Sequence, residues 1–281
     1  MAMLHVVATP IGNLADLPPR AARALEDADA VYAEDTRRTA TLLRHIGAHT
    51  PLRSLHAHNE ARRVQEVLTR LDAGESVTLV SDAGTPLISD PGGRLVRAVL
   101  DAGHTVVPVP GPSAVLAALV GSGLPADRFA FLGFVPRKGR ERSATLDRIV
   151  ESEETIVVFE SPERLVALLA DLEARCVGER EACVARELTK LHETFARGTL
   201  AELRAYYEHT PARGEVTVVV AAAAPAAPED RDVEARREAA ALLAAGTPPS
   251  SAAREVARRI GIPRNRAYAL VQTLQEDDGP A

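Results

Sequence analysis

The stretch that decides the fold is VTLVSDAGTPLISDPGGRLVRAVLDAG, residues 77–103. Val77 to Ser81 is a β-branched run of strand length, and Gly93 to Ala102 places apolar residues at helical spacing, with Gly103 where a C-terminal cap belongs. Between them, SDAGTPLISDPG (Ser81 to Gly92) packs two Asp, Ser and Thr hydroxyls, two Pro and two Gly onto a stiff connection. A strand that runs through a loop rich in donors and acceptors into a helix is the unit of an α/β sheet, and ligands bind at such strand ends.

Working outward, the same grammar repeats. Leu4 to Ala8, Ala30 to Ala33 and Thr105 to Val109 read as strands, and Pro19 to Ala28, Thr36 to Ile46 and Glu60 to Leu71 as helices, with Gly47 and Gly74 at helix ends. Further strands are expected at Phe129 to Phe134, Thr155 to Phe159, Ala182 to Ala185 and Glu215 to Val220, and helices at Arg142 to Ile149, Glu163 to Ala174 and Leu200 to His209. The pattern does not decide whether this second set is parallel or antiparallel. After Val220 the stretch AAAAPAAPED lacks a burying periodicity, and residues 223–232 read as a linker. Helices at Val233 to Ala245, Ser251 to Ile260 and Asn265 to Gln275 follow, with Ser250 as an N-cap and Gly261 past a helix end; the last two, joined by GIPR, resemble a helix-turn-helix. The expected organisation is an α/β domain over 1–112, a second over 113–222, the linker, and a small helical unit over 233–281.

Composition narrows the function. The 281 residues are 46% hydrophobic and 26% charged, which excludes wholesale disorder and coiled-coil rods. Aromatics are 3%, with no Trp, so base stacking on an aromatic sheet is excluded as the main mode of RNA reading. The net charge is -6, yet residues 254–266 hold five Arg against one Glu, and PRKGRER (Pro136 to Arg142) holds four basic residues against one acid. These local patches fit nucleic-acid phosphates; a solvated charged face is the alternative. Two cysteines, Cys176 and Cys183, make no disulfide framework, no charged leader or long apolar run is visible, and a cytoplasmic protein without a membrane span is expected. No metal motif is found: His56 and His58, two apart on an expected strand end, lack a third ligand. Gly121, Gly123 and Ala126 follow a helix and include Pro125, so a dinucleotide fingerprint is set aside.

Two more loops follow strands, TPIGNLAD (Thr9 to Asp16) and PVPGPSA (Pro108 to Ala114), the second ending in Ser113, a suitable helix cap. Three such loops would line one sheet edge and offer backbone groups to a small polar ligand. With AEDTRRT (Ala33 to Thr39), HAHNE (His56 to Glu60), GFVPRKGRER (Gly133 to Arg142), FESPERL (Phe159 to Leu165) and ARELTKLHE (Ala185 to Glu193), they form an ordered series that resembles the small-subunit (16S) ribosomal RNA cytidine 2′-O-methyltransferases of the tetrapyrrole methylase superfamily. The resemblance covers nearly the whole chain.

It implies two α/β domains with S-adenosylmethionine between them, a homodimer, and the small ribosomal subunit as partner. Many tetrapyrrole methylases open with G-x-G-P-G; here Ala8, Thr9, Pro10, Ile11 and Gly12 keep only the last glycine. Carried over by motif, the cofactor is expected at Ile11 and Gly12, at Asp82, Ala83, Gly84, Thr85 and Ile88, at Ser113 and Ala114, and at Phe159 and Ala185. Glu34, Asp35, Glu187 and Lys190 are candidates for a general base, although Glu34 could equally cap a helix and Glu187 pair with a neighbour. Phosphate contacts are expected from Arg37, Arg38, Arg137, Lys138, Arg140 and Arg164, with Gly139 in a mobile loop, and from Arg254, Arg258, Arg264 and Arg266. Two alternatives remain at this level: a tetrapyrrole C-methyltransferase, and a DNA-binding regulator that senses a ligand.

Overall fold

A computed structural model describes residues 2–176, 179–223 and 228–277. Two compact units are resolved, Met1–Ala223 and Ala224–Ala281. The first holds two five-stranded sheets. One is built from β1 (Met3–Val7), β2 (Ala30–Ala33), β3 (Leu52–Ser54), β4 (Val77–Val80) and β5 (Thr105–Val109), in the order β3-β2-β4-β1-β5 with every pair parallel. Parallel strands need crossovers, and α1 (Pro19–Glu26), α2 (Thr36–Ile46), α3 (Glu60–Asp72) and α4 (Gly93–Asp101) supply them. β2 and β4 are buried at every position, which is why they read as unbroken apolar runs.

After β5 the chain enters α5 (Ala114–Ser122) and a second sheet of β6 (Phe129–Phe134), β7 (Thr155–Glu160), β8 (Glu181–Arg186), β9 (Thr194–Thr199) and β10 (Val216–Val220), interleaved with α6 (Gly139–Glu151), α7 (Leu165–Glu173) and α8 (Leu200–His209). Its order is β6-β7-β10-β8-β9, and only β6 and β7 are parallel. The orientation left open by the sequence is therefore mainly antiparallel. One face buries Val158, Val184 and Val218 under α7 and α8, while the other buries Val157, Cys183 and Val219 against Val115, Ala118 and Leu119 of α5 and against Ile11 from the first half. Such burial on both faces is worth roughly 1.5–3 kcal/mol per large side chain.

Several expectations need correction. β3 and β9 were not anticipated. The basic segment is a loop only over Pro136 to Lys138: α6 starts at Gly139, and Arg142 is held by Asp171 at 2.7 Å and the Pro136 carbonyl at 3.1 Å. His56 and His58 lie in the turn after β3, not on a strand end; their rings meet edge-on at 6.0 Å. The Asn59 side chain accepts the His56 N–H at 2.9 Å, and Glu60 accepts the Arg94 N–H at 3.0 Å, so HAHNE anchors the start of α4.

The second unit contains α9 (Pro228–Ala244), α10 (Pro249–Ile260) and α11 (Arg264–Asp277) around Ala235, Ala239, Val256, Ala267 and Leu270. Part of the expected linker, 224–227, lies outside the described residues; the rest is shorter than expected, because α9 begins at Pro228. Pro248, not Ser250, is the N-cap of α10, since Pro249 is already helical. Gly261 closes α10 in the left-handed conformation.

Candidate functional site

The three loops after β1, β4 and β5 meet. Thr9 and Gly84 exchange backbone hydrogen bonds at 2.9 Å in both directions, and the Thr9 hydroxyl donates to the Ser81 carbonyl at 3.2 Å. Thr85 donates to the Pro112 carbonyl at 3.4 Å, and Ser113 accepts the Leu116 N–H as the N-cap of α5. Gly84 has φ 76°, which glycine adopts without cost. Leu87 and Ser89 also have positive φ, 74° and 69°, so the 81–92 loop holds strain of the kind that clusters at functional sites.

These loops wall one side of a cavity of about 400 Å³, within the usual range for small-molecule sites. Ile11, Asp82, Ala83, Gly84, Thr85, Ile88, Ser113 and Ala114 line it from the first side and Phe159 from the other, all of them expected. Gly12 and Ala185 do not. Gly12 packs under the Leu188 to Lys190 loop, and Ala185 is buried in the core behind Phe159. The opposite wall adds Phe134, Glu160, Ser161, Glu215 and Thr217, which the sequence reading missed.

Glu160 is fully buried. One carboxylate oxygen accepts the Ser161 N–H at 2.7 Å and pairs with Arg164; the other, Oε2, is buried without a hydrogen-bond partner among the described residues. Burial outweighs Arg164 and pushes this carboxyl above the usual range. Arg164 also donates to the Val135 carbonyl at 3.0 Å, so the expected phosphate contact is committed to holding Glu160.

The candidate bases separate clearly. Asp35 is the N-cap of α2, the role considered for Glu34, and the Arg37 guanidinium holds its carboxyl at about 2. Glu187 accepts from Lys190 at 2.8 Å and from the Glu215 N–H at 3.0 Å, which lowers its pKa. Lys190 is not a lysine whose amine is freed by desolvation: burial would lower its pKa, but Glu187 and Glu215, at 2.8 and 3.1 Å, more than reverse this. Glu34 is exposed and does not line the cavity; partial burial and Asp82 raise its pKa. Asp82 accepts the Asp35 N–H at 2.7 Å and stands 3.8 Å from Arg38. Asp90, which the sequence reading passed over, lines the cavity and is pushed up to about 6, first by burial and then by Glu34 and Asp82, against the Ser81 hydroxyl. Its position in the densest loop was the available signal.

Of the expected RNA contacts, Arg137, Lys138 and Arg140 are exposed and carry no ion pair among the described residues, whereas Arg37 pairs with Asp35 at 2.7 Å. In the second unit Arg258 pairs with Glu255 and Arg266 with Asp232, leaving Arg254 and Arg264 without a carboxylate partner among the described residues. No helix among the described residues is long and apolar enough to cross a membrane.

Residues 3–204 match the family model of tetrapyrrole (corrin/porphyrin) methylases, and residues 229–275 match the RsmI C-terminal HTH domain. A Synechocystis protein described as ribosomal RNA small subunit methyltransferase I is 46% identical over 278 residues, covering 99% of this chain and all of the relative. A Mycobacterium tuberculosis protein of the same description is 51% identical over 222 residues, 78% of each chain. Among solved structures, a cobalt precorrin-4 methyltransferase superposes with a TM-score of 0.60 at 17% identity, covering 78% of this chain and 94% of that one. The uroporphyrin-III C-methyltransferase of Thermus thermophilus, complexed with S-adenosylhomocysteine, does so at 0.55 and 21%, covering 79% and 97%. At those identities the superpositions speak for the fold alone, but the family model and the near full-length relatives go further: the chain belongs to the tetrapyrrole methylase family, in the branch of the ribosomal RNA small subunit methyltransferases I.

Proposed function

We propose that this methyltransferase moves a methyl group from S-adenosylmethionine to the ribose 2′-hydroxyl of a cytidine in 16S RNA, on the small ribosomal subunit and in the cytoplasm. The observation that carries the reading is the acidic cavity at the meeting of the three loops, with cations unpaired among the described residues at the start of α6, just beyond the cavity-lining Phe134. The cavity's chemistry fits the cofactor. Asp82, Glu160 and Glu215 suit a ligand with a sulfonium and an ammonium, and the buried Glu160 Oε2 lacks, among the described residues, a donor that such a ligand can supply. Backbone groups of 82–85 and the Ser113 turn would hold the polar ends, and Phe159 and Ile11 the adenine faces.

When bound, the cofactor supplies an already activated methyl group. The protein's task is then alignment, for which orientation alone is worth roughly 7–11 kcal/mol. The bridge between Thr9 and Gly84 and the tie from Thr85 to Pro112 keep the loops in register for it. Arg137, Lys138 and Arg140, with Arg254 and Arg264, would contact phosphates; Arg37, Arg38, Arg164, Arg258 and Arg266 serve internal carboxylates first. We read 1–112 and 113–222 as the two domains around the cleft. A homodimer is supported by α5, where Leu116 and Val120, one turn apart, are 52% and 79% exposed.

Incubation of the purified chain with methyl-labelled S-adenosylmethionine and either unmethylated small subunits or a precorrin tests the reading. Label is expected as 2′-O-methylcytidine in the RNA. Label in the macrocycle alone would sink it.

A further inference from the structure

A ribose hydroxyl is a weak nucleophile until its proton leaves, and four expected candidates for the acceptor have been placed. Asp35, Glu187 and Lys190 are held in ion pairs, none of the three borders the cavity, and Glu34 lies outside it. Among the acids that do border it, Asp82 is fixed by the Asp35 N–H and Arg38, Glu160 is clamped by Arg164 and Ser161, and Glu215 pairs with Lys190. Asp90 alone borders the cavity without an ion pair among the described residues. It is half-buried, on a backbone set by Ser89 and Gly92 at positive φ, 69° and 118°. Ser89 in turn packs against Gly133 of the second half, where an added Cβ would meet its hydroxyl at 3.3 Å. The loop is thus held by its own backbone angles and closely approached by the second half, as a group that must meet a reacting atom requires.

Resting on the proposed 2′-O-methyl transfer, we propose that Asp90 is the catalytic residue that accepts the proton of the attacking hydroxyl. As the ribose O–H bond breaks, the oxygen forms its bond to the methyl carbon, and sulfur keeps the electron pair of the broken S–CH3 bond. The proton passes to the Asp90 carboxylate and then to water. The groups acting on Asp90 are Ser81 and Asp82 of its own loop and Glu34, just after β2, and Arg38 of α2 lines the same cavity. Burial first, and then the two acids, make its carboxylate a stronger base, and the outcome, a group pushed up to about 6, suits a base working near neutrality.

The test is single-turnover methylation of unmethylated small subunits from pH 5 to 8.5 by the unaltered protein, Asp90→Asn and Asp90→Glu, with calorimetric affinity for S-adenosylhomocysteine measured alongside. The unaltered protein should gain rate through a step near pH 6. Asp90→Asn should be about 10²- to 10⁴-fold slower and lack the step, with affinity for S-adenosylhomocysteine within about threefold, and Asp90→Glu should recover part of the rate. Independently of turnover, the Asp90 carboxyl carbon of the cofactor-free protein should titrate by NMR near pH 6. An Asp90→Asn rate within threefold of the original, retention of the pH step, or an NMR midpoint below 4.5 overturns the assignment alone. Failure of the unaltered protein to methylate small subunits while it methylates a precorrin overturns the substrate reading and this assignment with it.

Discussion

The Asn13 backbone N–H donates to the Thr189 hydroxyl at 3.0 Å, joining the loop after β1 to the loop after β8 across 176 positions of sequence. Thr189 and Glu187 both have positive φ, 64° and 52°, so this second loop is held in a conformation that non-glycine residues rarely adopt. Gly12 is what lets the two approach: an added Cβ would lie 2.8 Å from the Thr189 hydroxyl oxygen and 2.9 Å from the Leu188 carbonyl oxygen.

Gly12→Ala should therefore push the Leu188 to Lys190 segment away and loosen the closure of the two halves, although Gly12 does not line the cavity. A loss of about 1–3 kcal/mol is expected from overpacking, read by urea unfolding, together with weaker binding of S-adenosylhomocysteine by calorimetry. Unchanged stability and affinity would show that the contact is slack.

Arg164→Ala should destabilise by about 3 kcal/mol, because it leaves Glu160 buried and unpaired. The Glu160 carboxyl already binds protons more readily in the folded chain than in the unfolded one, and without Arg164 it does so more strongly. The deficit should accordingly be largest at high pH and shrink as pH falls and the acid is neutralised. Thermal melts from pH 4 to 8 measure it, and Glu160→Gln combined with Arg164→Met should recover most of the loss.

Asp90 sets a stability cost of its own. Folding raises its pKa from 3.8 to about 6, so the native state binds more protons between those values and stability declines as pH rises through them. Asp90→Asn should therefore gain about 1 kcal/mol at pH 8, after allowance for partial exposure, and nothing at pH 4. Melts at the two pH values check this; a gain at pH 4 would contradict it.

RNA affinity should follow which cations are free. Replacing Arg137, Lys138 and Arg140 with Ala should make the plot of log affinity against log salt shallower by about 2, near 0.7 per lost phosphate contact. In the second unit, Arg264→Ala should weaken binding more than Arg266→Ala, since Arg266 is engaged with Asp232. Filter binding of small subunits across a salt series measures both.

The elements that were legible from residues alone are those whose side chains face a core. Ala30 to Ala33, Thr36 to Ile46 and Thr105 to Val109 fall where their periodicity put them. The two missed strands, β3 and β9, are edge strands that pair on one side only, and LRS and TFARGT accordingly lack the continuous apolar run of a central strand. Loop chemistry was legible in the same way: SDAGTPLISDPG marks a ligand loop by composition, and its residues do line the cavity.

By itself, the sequence determined the α/β class, the three loops, the basic segments and the family resemblance, because each depends on residues near one another in the chain. The tertiary structure alone decided which charges are spent on each other. Lys190 is taken by Glu215, Arg164 by Glu160 and Arg266 by Asp232, while Asp90 is left at the cavity wall with other acids facing it. The balance between desolvation and pairing that sets a group's proton affinity depends on neighbours brought together by folding, and no spacing in the sequence encodes it.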